Sequence, residues 1–153
     1  MRIIQLDQGT AYISDEDYDR LSSYRWKLMK DGDRTYAYRD DNGRLISMHQ
    51  DVLGAKDGYV IDHRDRDGLN NVRSNLRYAT RAQNRANSTR PKSATASSRF
   101  KGVTLIPARW VARITVDGKS TKLGTFHTEE EAGEAYAAAA RRLYPEFAPV
   151  VKP

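Results

Sequence analysis

Eleven consecutive residues, Ser88 to Ser98 (STRPKSATASS), are small, polar and without hydrophobic period, and they separate a patterned first half of the chain from a patterned second half. Such a segment buries too little apolar surface to offset the entropy of ordering it, so it reads as a linker. Each flank must then close a core of its own, and 153 residues are enough for two small domains. The expected organisation is a first domain over 1–87, a basic linker over 88–98 and a second domain over 99–153.

In the first half, Ile3-Ile4-Gln5-Leu6 and Ala11-Tyr12-Ile13 read as strands, and Ser14 or Asp15 is expected to cap a short helix through Leu21. Tyr24 to Leu28 and Thr35 to Arg39 resume strand character around Lys30-Asp31-Gly32-Asp33. Asp41-Asn42-Gly43 is a hairpin turn into Arg44 to Met48. A short helix from His49 to Leu53 stops at Gly54. Tyr59-Val60-Ile61 is then a strand that delivers Asp62 and His63 to a polar loop, Arg64 to Ser74. Asn75 to Ala79 returns as a second strand. Thr80 and Gln83 have capping-box spacing, which predicts a helix from Arg81 to about Asn87.

This hairpin and helix carry a chemical pattern. Asn75 lies 12 positions after His63 (75 − 63) and Asn84 lies 22 after Asp62 (84 − 62). An imidazole beside a carboxylate, with an oxygen donor on a following helix, is what one-metal phosphodiester hydrolysis needs: the imidazole takes a proton from water and the oxygens hold a divalent ion at the phosphate. Residues Met48 to Asn87, above all Val60-Ile-Asp-His63, Ser74 to Thr80 and Gln83-Asn84, resemble the HNH endonucleases, the phage and intron-encoded homing type with a ββα-metal (His-Me finger) core. The resemblance implies that His63 is the general base and that Asn75 holds its imidazole in orientation. It also implies that Asp62 and Asn84 ligate the metal, with Asn84 at a position many relatives fill with His. One carboxylate and one amide oxygen suit Mg²⁺ or Mn²⁺ rather than Zn²⁺, and family chemistry leaves 5′-phosphate and 3′-hydroxyl ends. His49 is expected to pack between its helix and the hairpin, His127 to be structural beside a helix cap, and Asp65 and Asp67 to be a solvated turn.

Charge supports a polyanionic partner. The net charge is +6, and from Asn70 to Val116 there are ten Lys or Arg residues and no Asp or Glu. Arg73, Arg77, Arg81 and Arg85 recur every four residues beside the motif and are expected to contact phosphate. With no cysteine, disulfides and Cys-ligated zinc are excluded. The N-terminus turns polar too early for a signal peptide and no apolar run approaches a membrane span, so a soluble cytoplasmic protein is expected.

In the second half, Trp110, Ala112, Ile114 and Val116 alternate with Val111, Arg113 and Thr115. Asp117-Gly118 makes a turn into a return strand, Lys119 to Phe126, and Thr128 to Glu131 caps a helix that Pro145 ends. Phe100-Lys-Gly-Val103, Trp110 to Ile114, Leu123 to Phe126 and Glu130 to Tyr136 resemble the plant ethylene-response-factor type of DNA-binding domain over roughly 98–148. That likeness implies a three-stranded antiparallel sheet packed on one helix, its sheet entering the major groove. Arg113 and Thr115 would then face DNA, and Lys101, Thr104, Ser120 and Lys122 match contact positions, with Arg109 a further basic candidate. The Gly102 to Trp110 stretch is one residue shorter than in the plant domains, Ile106-Pro-Ala-Arg109 replaces their Pro-Trp-Gly element, and Arg113 and Lys122 stand for a common Glu and Trp. The target sequence therefore does not transfer.

The fold class expected is α+β: a ββα-metal nuclease domain with an N-terminal β-rich extension, plus the small sheet-on-helix domain. The function expected is a metal-dependent HNH homing endonuclease acting on double-stranded DNA as a monomer or weak dimer, phage- or intron-encoded and working in a bacterial host. The competing readings are a sequence-specific DNA-binding regulator with an inactive nuclease fold and an RNA-directed or structure-specific nuclease.

Overall fold

Strand alternation sets the first layer: in β1 (Arg2–Gln5) Ile4 is buried while Ile3 is exposed, and in β2 (Thr10–Ile13) Ala11 and Ile13 are buried. These belong to a computed structural model that describes residues 1–88, 97–116 and 118–147. Residues 89–96 of the expected linker, with Arg90 and Lys92, and Asp117 of the expected turn lie outside the described residues. The chain falls into two compact units, Met1–Arg81 and Ala82–Pro153.

In the first unit, α1 (Asp15–Ser22) carries Asp15, Glu16 and Asp17 in its first turn, where the helix dipole favours negative charge. Ser14 occupies the N-cap without capping; its hydroxyl instead accepts the Arg73 N–H at 2.9 Å. Strands β3 (Lys27–Asp31), β4 (Arg34–Asp41) and β5 (Arg44–Ser47) form an antiparallel meander. Asn42 and Gly43 both have positive φ (53° and 84°), the geometry that suits a two-residue hairpin. Helix α2 (Met48–Leu53) follows and ends at Gly54. The hairpin β6 (Val60–His63) and β8 (Leu76–Ala79) brackets the polar loop, which holds a two-residue strand, β7 (Asn70–Asn71), and a 3₁₀ turn (Arg73–Asn75). β7 pairs in parallel with β2, Tyr12 opposite Asn70 and Ile13 opposite Asn71. Ile4, Leu6, Ala11, Ile13, Leu21, Trp26, Ala37, Met48, Val52 and Leu76 make one core. Trp26 is buried with its indole N–H donated to the Leu21 carbonyl at 2.8 Å.

The break at Arg81 comes at the first residue of α3 (Arg81–Asn87), so the hairpin lies in the first unit and nearly all of this helix in the second. The second unit also has β9 (Val103–Ile106), β10 (Arg109–Val116) and β11 (Lys119–Phe126), antiparallel in the order β11-β10-β9, packed on α4 (Glu129–Leu143). Thr128 Oγ1 accepts the Glu131 N–H and the Glu131 carboxylate accepts the Thr128 N–H, both at 3.2 Å, so the capping box forms as expected. Phe100, Trp110, Leu123 and Phe126 pack around Val103, Ala112 and Ala132. The register steps from Ala112 opposite Gly124 to Arg113 opposite Lys122, a bulge that leaves Leu123 unpaired. Among the described residues no helix is long and apolar enough to cross a membrane.

Candidate active site

The register of the hairpin decides which side chains meet. Asp62 lies opposite Arg77 and His63 opposite Leu76, so Asp62 and Arg77 project from the same face. Arg77 Nε and Nη2 both reach Asp62 Oδ2 at 2.7 Å, and the side chains are 8% and 4% exposed. Arg77, expected at a phosphate, is therefore buried against a carboxylate. Antiparallel pairing forces this meeting.

His63 is also buried. Its Nε2 is 3.3 Å from Asn71 Oδ1, and the Asn71 amide N–H reaches the Gly68 carbonyl at 3.5 Å, which turns the amide oxygen towards the ring. An amide oxygen only accepts, so the proton sits on His63 Nε2 and Nδ1 is the basic nitrogen. Burial lowers the affinity of this ring for a second proton, partly offset by Asn71 and by the charges of Asp65, Asp62 and Asp67. The net lowering keeps His63 neutral near pH 7, the state a general base requires. His49, at the start of α2, lies edge-on to His63 with ring centroids 5.2 Å apart, and Tyr36 faces both. Burial, reinforced by His63, pushes His49 down to about 4.

Asn75, expected on the imidazole, instead stitches the loop. Its amide N–H groups go to Asp65 Oδ1 and the Asn70 carbonyl, both at 2.8 Å, while its oxygen accepts the Asp65 N–H at 3.1 Å. The ring contact falls to Asn71 because β7 is drawn into the sheet beside Ile13, which turns that side chain inward and leaves it fully buried. Asp65 and Asp67, expected as a solvated turn, accept the Asp67 and Leu69 N–H groups at 2.9 Å. Burial pushes the Asp65 carboxyl up, but bonds from Asp67, Asn70 and Asn75 outweigh it and hold it below the usual range.

Arg73, the other arginine expected at phosphate in this segment, bonds Asp17 through Nε and Nη2 at 2.8 Å and also pairs with Glu16. Asp17 further takes Arg20, which reaches Asp51, and Asp51 takes Arg39 at 2.8 Å. This alternating chain ties the 3₁₀ turn to α1, α2 and β4. Arg81 is exposed. Among the described residues no three His, Asp or Glu side chains are grouped so as to hold an ion by themselves.

Asn84 and Arg85 stand on α3 in the second unit, Asn84 half-buried and Arg85 exposed. In that unit Arg113, Thr115, Ser120 and Lys122 are exposed on one face, with Arg113 opposite Lys122 and Thr115 opposite Ser120. Thr104 is exposed on β9 opposite Val111. Lys101 turns away from this group: its ammonium donates to the carbonyls of Arg85 and Ser88 at the end of α3. Arg109 lies against the His127 ring at 2.6 Å.

Two residues take places in the site that the sequence reading did not assign to them: Asn71 against His63 and Arg77 against Asp62. Asn71 gave no local signal, because a two-residue parallel bridge has no hydrophobic pattern. Arg77 was legible in principle, since fixing the hairpin register from Val60 opposite Ala79 places it across from Asp62.

A family model described as HNH endonuclease matches residues 52–86, from the end of α2 through the hairpin into α3. A protein of Acanthamoeba polyphaga mimivirus named "Uncharacterized HNH endonuclease L560" is 33% identical over 150 residues, covering 92% of this chain and 74% of that protein. No solved structure matches. The residues matched by the family model include Asp62, His63, Asn71, Asn75, Arg77 and Asn84, and the likeness to the viral protein extends over nearly all of the rest. The chain belongs to the HNH endonuclease family.

Proposed function

We propose that this chain is a divalent-metal-dependent DNA endonuclease of the homing type, cutting a backbone phosphodiester at His63 and holding duplex DNA with its C-terminal sheet. Family membership implies nuclease activity on DNA. The observation that carries the finer reading is the placement of the His63 ring, buried at a strand end beside Asp62, with Nε2 against Asn71 at 3.3 Å. Nδ1 is thereby the nitrogen that takes the proton of an attacking water. Asn75 serves by keeping the loop closed around that ring.

Asp62 and Asn84 would hold the ion. A carboxylate and an amide oxygen without sulfur fit a hard cation such as Mg²⁺ or Mn²⁺ that keeps several waters. Arg77 meets Asp62 through Oδ2 and fixes the direction of that carboxylate. When bound, the ion supplies charge neutralisation at the scissile phosphate. Arg81, Arg85, Arg113 and Lys122 are exposed and would meet phosphate, while Thr104, Thr115 and Ser120 would lie along the groove.

Supercoiled plasmid incubated with Mg²⁺ tests this. The wild type is expected to nick or linearise it and His63→Ala to leave it intact, while Asp62→Ala and Asn84→Ala lose cleavage yet still shift DNA on a gel. A second reading, a DNA-binding regulator with a silent nuclease fold, draws on the Arg77 guanidinium at Asp62. It prevails if the wild type shifts DNA but cuts it under no divalent ion.

A further inference from the structure

Arg77 has a place that neither chain stability nor phosphate contact explains well. A buried ion pair is a weak source of stability, because desolvating both charges offsets most of their attraction. Yet Arg77 is 8% exposed, and both Nε and Nη2 are spent on Oδ2 of Asp62. Asp62 is the one carboxylate in the proposed metal site, so the site already carries a resident cation that balances it.

Resting on the metal-site reading above, we propose that Arg77 is a positioning residue that makes metal loading depend on DNA. With the guanidinium in place, Asp62 and Arg77 together are neutral, and a divalent ion approaching Asp62 meets a fixed positive charge at close range. A backbone phosphate entering beside the ion restores the missing negative charge. A divalent ion held by Asp62 and the scissile phosphate would then bind as a pair, and by linkage each would raise the affinity for the other by the same factor. The two N–H contacts of Arg77 hold the carboxylate aimed while no metal is bound, which preorganises it. The enzyme gains a safeguard, since the complete site assembles only on its substrate.

The test is Mn²⁺ binding, followed by the electron paramagnetic resonance signal of free Mn²⁺, in a His63→Ala background that prevents cutting. Each titration is run with and without a DNA duplex, and the signal of the duplex alone is subtracted. The expected result is weak binding without DNA and binding tighter by about tenfold or more with it. Arg77→Gln should raise the DNA-free affinity by about tenfold and shrink the gap, whereas Arg77→Lys, which keeps the charge, should stay near the parent. A duplex that leaves the Mn²⁺ affinity of the parent unchanged overturns the proposal, even if Arg77→Gln fails to fold. So does a folded Arg77→Gln that binds Mn²⁺ no more tightly than the parent. Asp62→Asn separates the two levels: if it binds Mn²⁺ as the parent does, the metal-site reading itself is wrong. If it loses binding while Arg77 changes nothing, only the role given to Arg77 falls.

Discussion

Because the Asn71 oxygen accepts from His63 Nε2, replacing Asn71 with Leu removes the acceptor while keeping the volume of a fully buried side chain. The ring then loses the contact that selects its tautomer. Orienting partners of this kind are worth roughly 10–100-fold, so Asn71→Leu is expected to slow single-turnover nicking by about that factor with DNA affinity unchanged. A variant that nicks at the wild-type rate would show that the ring needs no such partner. Asp17 gives a second test at this scale. Burial pushes its carboxyl up, but the bonds and charges of Arg73 and Arg20 outweigh this and hold it below the usual range. A lowered native pKa contributes stability above the unfolded value, about 3.9, and that contribution is lost as pH falls through the native value. Asp17→Asn should therefore cost about 1–3 kcal/mol at neutral pH, less than a fully buried pair because both arginines are half-exposed. The gap to wild type in urea unfolding should close below about pH 4. A gap that stayed constant down to pH 3 would rule out a charge-based role for Asp17.

At the scale of elements, several strands, turns and helices were readable because each has a strong local signal. β6 is an apolar run, the Asn42-Gly43 turn demands positive φ, and α4 starts at a capping box. What was not readable is how the loop between β6 and β8 is held. Its partners are distant in the chain: the Tyr12 N–H bonds the Leu69 carbonyl at 2.8 Å, and the Ser14 hydroxyl takes the Arg73 N–H at 2.9 Å. Ser14 looked like a cap for α1 because local pattern cannot see a partner 59 residues away. The first 47 residues thus act as a frame for the site loop, and Gly68 is where the frame is tightest. A Cβ there would lie 2.2 Å from the Thr35 carbonyl oxygen and 2.6 Å from the Tyr36 ring. The backbone oxygen cannot yield cheaply, so Gly68→Ala must lift the loop off β4. It is expected to lose about 1–3 kcal/mol of stability and to lower nicking together with it. Unfolding at the wild-type urea midpoint would mean that the loop seats without this contact.

For the whole molecule, the acid-free run from Asn70 to Val116 overstated the charge on offer to DNA. A count along the chain cannot show that acids from elsewhere fold back onto it. Arg73 pairs with Asp17 and Glu16, Arg77 with Asp62, and Arg99 with Glu129 and Glu130. Arg113 and Lys122 are different, standing directly opposite each other across β10 and β11, both exposed and without an acidic partner among the described residues. Like charges so placed disfavour the sheet by roughly 0.2–1 kcal/mol. A position that costs stability and still concentrates positive charge is suited to a polyanion. Replacing both residues with Ala is therefore expected to separate folding from binding. The melting temperature should hold or rise slightly. If each side chain neutralises one phosphate, the slope of log K against log salt should become shallower by about 1.8, with weaker binding at low salt. If the double variant keeps wild-type affinity and slope, this face of the sheet does not meet DNA, and the basic residues of α3 must provide the hold instead.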